Sequence, residues 1–76
     1  MEKSLRRTRF EKVAGRRMNL ILRSLNNLSK CSNKNNYEYS DLDTRKMFKT
    51  LKDKLAEVEN EFSGELNRER KEEFKF

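Results

Sequence analysis

Arg9, Arg16, Arg23 and Lys30 recur at intervals of seven, and Lys12, Asn19, Asn26 and Asn33 fall between them at spacings of three and four. On a helix this alternation draws one polar stripe along a single face. Guanidinium, ammonium and amide groups are the side chains that contact phosphate oxygens and base edges. No acid occurs between Glu11 and Glu38, a gap of more than roughly five helical turns. An ordinary solvated face usually mixes both signs, so two readings stand side by side: a plain solvated face, or a surface for an acidic ligand. Beyond the stripe, Lys34, Tyr37, Tyr39, Arg45, Lys46 and Lys49 continue the supply of cations and add two aromatic rings. The candidate nucleic-acid or partner-binding set is therefore Arg16, Arg23, Lys30, Asn33, Lys34, Tyr37, Tyr39, Arg45 and Lys49.

Catalytic chemistry finds little to work with. The chain has no His, a single Cys and two Gly, which removes the usual zinc, Ser/His, Cys/His and phosphate-loop arrangements. Carboxylates occur only amid mixed charge, and a small helical unit offers no deep pocket to shift their pKa values. The sequence predicts no enzyme, no cofactor and no metal.

The elements that must carry these residues are helices. Ala14, Met18, Ile21, Leu25 and Leu28 recur with spacing 4-3-4-3, and Phe48, Leu51, Leu55, Val58 and Phe62 with spacing 3-4-3-4. Both are apolar stripes of the kind that pack nearly antiparallel or coil together. The first lies opposite the basic stripe, because Arg16 is about 200° around the helix from Ala14. Ser40 followed by Asp43 is a capping-box variant and starts the second helix, with Asp41 and Asp43 at its positive dipole end. Helices are expected near 12–30 and 40–62. Gly15 is read as the boundary of a basic arm over residues 1–12. Gly64 is read as a C-cap before a mixed-charge tail over 63–76. The expected fold is all-α, an antiparallel two-helix hairpin over 13–62 with a connecting loop over 31–39, completing a bundle by dimerisation. Val13 and Leu20 on one flank of the first stripe, and Leu22 on the other, are what the second copy would cover.

Bulk properties agree. The chain has 76 residues, 42% of them charged and 33% apolar, with no Pro and a mean hydropathy of -1.19. A chain this short buries a thin core, and outside help from a second copy or partner is expected. Residues 1–36 carry ten Lys/Arg against Glu2 and Glu11, a net of +8. Residues 37–76 carry nine against eleven acids, a net of -2, which together give the overall +6. That imbalance points to an acidic partner: nucleic acid, membrane surface or protein. The basic start is followed only by the apolar run Met18–Leu22, too short for a signal-peptide core or a membrane span. The lone Cys31 fits a reducing compartment, so a cytoplasmic location is expected, and it is expected to pack as a small apolar residue. Ser24, Asn26 and Asn27 interrupt the later turns of the first helix, which argues against membrane binding.

Within an antiparallel hairpin, Glu57, Glu59, Glu61 and Glu65 would lie beside Arg6, Arg9, Arg16 and Arg17 and neutralise them. No such compensation is evident near the loop, where Arg23, Lys30 and Lys34 would meet Arg45, Lys46 and Lys49. The loop end is therefore the expected interaction surface. Tyr37 and Tyr39 either cap the open end over Leu28 and Phe48, or stack on exposed bases or a partner.

Residues 16–62 also resemble a set of small, mostly uncharacterised proteins encoded on bacterial plasmids, phages and integrative elements. The shared pattern is a basic helix, a Ser-Asn-x-x-Asn-Tyr-x-Tyr-Ser/Thr turn, an Asp at the next helix start and a Lys-Ile/Met-Phe anchor. Here it falls on Ser32, Asn33, Asn36, Tyr37, Tyr39, Ser40, Asp43, Lys46, Met47 and Phe48. The resemblance implies a mobile-element accessory protein acting on DNA maintenance or on a host defence complex, and it implies no particular activity. Two functions follow. One is a regulatory protein that binds nucleic acid or a nucleoprotein through the basic helix and the Asn/Tyr loop. The other is an inhibitor or adaptor that docks a host protein, such as a CRISPR defence nuclease complex, on its acidic or nucleic-acid-binding surface.

Overall fold

The computed structural model describes residues 4–71, with side chains to residue 68. The protein is all-α: helix α1 spans Leu5–Ser29, a short 3-10 turn spans Lys30–Ser32, and helix α2 spans Asp41–Lys71. Two units divide the chain, Met1–Glu38 and Tyr39–Phe76, each built around one helix.

In the first unit, α1 begins well before the expected start near residue 12. Ser4 adopts an extended conformation (φ -65°, ψ 157°) and its Oγ accepts the Arg7 N–H at 3.0 Å. One turn on, Arg7 Nε donates to Glu11 Oε1 at 3.1 Å, and the Arg7 guanidinium lies 5.6 Å from the Phe10 ring centroid. An N-cap, an i,i+4 ion pair and a cation–π contact hold the first turns. Residues 5–12, expected as an arm, are therefore part of the helix. Gly15 does not end it: a glycine costs an interior position about 1 kcal/mol relative to Ala, which weakens a helix without forbidding it. The apolar stripe runs through the whole element. Val13, Ala14 and Leu28 are half-buried, while Phe10, Met18, Ile21 and Leu25 stay exposed.

In the second unit, the capping box forms as the sequence predicts. Ser40 N–H donates to Asp43 Oδ2 at 2.9 Å, and Asp43 N–H donates back to Ser40 Oγ at 3.2 Å. Tyr39 and Thr44, the residues just outside the cap and at the fourth helical position, are both half-buried, the positions where a staple across the cap forms. The far end differs from expectation. Gly64 is neither a C-cap nor in a positive-φ conformation, and α2 passes through it to Lys71. Glu65 pairs with Arg68 at 2.9 Å one turn beyond, and Leu66 extends the stripe by one more i,i+4 step from Phe62. Residues 72–76 of the expected tail lie outside the described residues.

Candidate interaction surface

Arg16 and Arg23 lie on α1, and Lys30 caps it in a still-helical conformation (φ -67°, ψ -21°). The three therefore keep helical register. Each seven-residue step advances about 10.5 Å along the axis and returns to within about 20° of the same face. Three nucleotide steps along a strand cover about the same distance. All three residues are exposed. The one described acid on α1, Glu11, is engaged by Arg7, and Arg16, Arg17, Arg23 and Lys30 make no ion pair among the described residues. Glu2 lies outside the described residues. Arg16, Arg23 and Lys30 are thus a row of cations without an acidic partner among the described residues.

Downstream, Asn33 organises the turn. Its backbone carbonyl accepts the N–H groups of Asn36 (3.1 Å) and Tyr37 (3.0 Å), and its side-chain Oδ1 accepts the Asn35 N–H at 3.0 Å. That is an Asx turn inside a backbone turn, and it explains the run of asparagines at this point of a helical chain. Lys34 and Tyr37 are exposed. Tyr39 belongs to the second unit and is half-buried. Cys31, expected to pack, is exposed on the 3-10 turn instead, because a three-residue turn after an amphipathic helix has no face of its own to bury.

On α2 Arg45 and Lys49 are compensated locally, which corrects the expectation of an uncompensated patch for these two residues. Arg45 pairs with Asp41 at 2.7 Å and Lys49 with Asp53 at 2.8 Å, both i,i+4. The Asp53 carboxylate, through its hydrogen bond first and its charge second, raises the Lys49 pKa above its ordinary value. Farther along, Glu57 pairs with Lys54 at 3.1 Å and Glu65 with Arg68, so these acids have cations of their own helix to answer. Exposed pairs of this kind contribute little and exchange readily with another anion. Phe48, also exposed, sits in an open strip with Thr44, Arg45, Lys49, Lys52 and Asp53. All six come from one helix, so the strip is a helix face and not an enclosed cavity.

The sequence reading missed two features. The Arg7–Phe10–Glu11 cluster was signalled by Phe10 lying four residues before Ala14, in register with the apolar stripe. The side chains of Asn35 and Asn36 are exposed and make no hydrogen bond among the described residues. Their signal was the repeated Asn itself, of which only Asn33 is needed to close the turn.

No described helix is long and apolar enough to cross a membrane. No protein-family model, curated protein or solved structure matches the chain.

Proposed function

We propose that this chain is a small, non-enzymatic accessory protein of a mobile element. In this reading it binds nucleic acid or a nucleoprotein through the basic face of α1 and the Asn/Tyr loop. The observation that carries the reading is the row Arg16, Arg23 and Lys30, exposed and without an acidic partner among the described residues. Cations left unpaired on one face concentrate positive potential and attract a polyanion. Lys34 adds to the row. Arg45 and Lys49 join by exchanging a carboxylate for a phosphate. In the finer fold that goes with this reading, the two helices form an antiparallel hairpin and two copies complete a four-helix bundle in the cytoplasm. The bundle would cover the apolar stripes and leave the basic face outward.

Fluorescence anisotropy with labelled oligonucleotides tests the reading. Affinity should fall with salt, log K declining by about 0.9 per duplex phosphate neutralised. Replacing Arg23, Lys30 and Lys34 together with Ala should weaken binding and flatten that slope while circular dichroism stays unchanged. Absence of binding to any DNA or RNA at low salt would sink it.

A second reading draws on a separate observation. Met18, Ile21, Leu25, Phe48, Leu51, Leu55 and Phe62 are all exposed, and such stripes are also what an inhibitor or adaptor lays into a host protein's groove. Its partner would be a host defence nuclease complex with an acidic or nucleic-acid-binding surface. Pull-down from host lysate with and without nuclease separates the two, since a protein contact survives nuclease treatment.

A further inference from the structure

We infer that the turn over residues 33–37 is a reader of unpaired bases, which makes single-stranded nucleic acid the preferred ligand of the surface proposed above. The inference rests on that reading and narrows it.

Its basis is a division of labour among neighbouring residues. Asn33 closes the turn, accepting three backbone N–H groups through its carbonyl and Oδ1. The backbone of residues 35–37 is thereby fixed without help from their own side chains. Three groups remain uncommitted side by side: the amides of Asn35 and Asn36, and the ring of Tyr37, which is 52% exposed. A carboxamide carries an acceptor and a donor next to each other. That pattern matches the adjacent donor and acceptor on the pairing edge of a base, adenine N6/N1 among them. A phenol ring offers the stacking face that any base accepts. Neither contact is available to a short turn when bases are stacked and paired in a duplex. Both become available when a base is splayed out. Lys30 stands at the start of the turn to hold the adjoining phosphate. Because the turn is already hydrogen-bonded, ordering it on binding costs little.

Charge does not separate the duplex and single-strand cases. Arg16 and Arg23 contact phosphate and do not distinguish the two polymers. Only the turn does. Removing it should therefore cancel the preference and leave the charge-driven binding in place.

The test uses the full chain and labelled 12-nucleotide strands of deoxyadenylate, deoxythymidylate, riboadenylate and ribouridylate, with a duplex of the same length, at one fixed salt concentration. Single strands should bind about tenfold tighter than the duplex. Tyr37→Ala should weaken single-strand binding by about tenfold or more and change duplex binding by less than about twofold, and Tyr37→Phe should retain the wild-type preference. Replacing Asn35 and Asn36 together with Ala should level the differences among the four strands. Asn33→Ala should weaken single-strand binding with unchanged helical circular dichroism, because the turn then loses its closure. Equal or tighter duplex binding, or a Tyr37→Ala loss shared equally by both polymers, overturns the inference and leaves the phosphate-binding reading intact. Failure to bind every strand and the duplex overturns both.

Discussion

Asn33 and Asp43 show how much of this chain is settled by single side chains acting on the nearest backbone. Asn33 holds the turn after α1, and Asp43 holds the start of α2 by accepting the Ser40 N–H. The Asp43 carboxyl lies below its ordinary pKa of 3.8, first because of that backbone hydrogen bond and next because of the bond with the Ser40 side chain. A carboxyl depressed in the folded state contributes stability that is present above its unfolded value and is lost as pH falls through the folded one. Helicity should accordingly hold down to about pH 4 and then decline, beyond what protonation of the other acids produces. Asp43→Asn should lower helicity at neutral pH and remove part of the acid-dependent loss, followed by circular dichroism between pH 2 and 7. For Lys49 the sign reverses. Its raised pKa makes its pair with Asp53 fully effective below about 10.5 and lost at higher pH. Lys49→Ala should therefore flatten the alkaline limb of the titration.

At the scale of elements, what could be read from the sequence is what is local. The capping box at Ser40, the helical type of both stripes and the polarity of the face opposite Ala14 all depend on residues within one turn of each other. The helix ends could not be placed as well. Gly15 and Gly64 look like boundaries because glycine lowers helix propensity, yet each sits inside a helix that neighbouring pairs sustain: Arg7 with Glu11 on one side, Glu65 with Arg68 on the other. Propensity is a small term, and a cap plus an i,i+4 pair offsets it. The local pairing of Arg45 and Lys49 was likewise readable from Asp41 and Asp53 at i-4 and i+4, but a reading that placed helix against helix looked past it. Gly15 yields a direct test, since a Cβ built there meets nothing within 4 Å. Gly15→Ala should stabilise α1 by about 1 kcal/mol, raising the thermal midpoint in circular dichroism. Ser4→Ala should act in the opposite direction by about the same amount, through loss of the cap to Arg7. If Gly15→Ala proves destabilising instead, another chain must approach that face closely.

For the whole molecule the governing fact is that two long amphipathic helices carry exposed Leu, Ile, Met and Phe along one face each. Isolated helices draw most of their stability from packing such a face against something else. An antiparallel hairpin would cover one side of each stripe and leave Leu20 and Leu22, 50% and 53% exposed on opposite flanks, for a second copy. Self-association should therefore persist at moderate salt, because apolar contact rather than ion pairing sustains it. Sedimentation should show a dimer at micromolar concentration and a thermal midpoint that rises with protein concentration. The decisive variants are Leu25→Ala and Leu55→Ala. Leu55 is 60% exposed on its own helix, and truncating a leucine that stays exposed changes stability by less than about 0.5 kcal/mol. Truncating one that a hairpin or a second copy covers costs about 2–5 kcal/mol. A large loss at both positions with a concentration-dependent midpoint supports the bundle. A large loss with a concentration-independent midpoint supports the hairpin alone. Negligible loss at both leaves the stripes uncovered in the free protein and assigns them to the host-protein contact of the second functional reading.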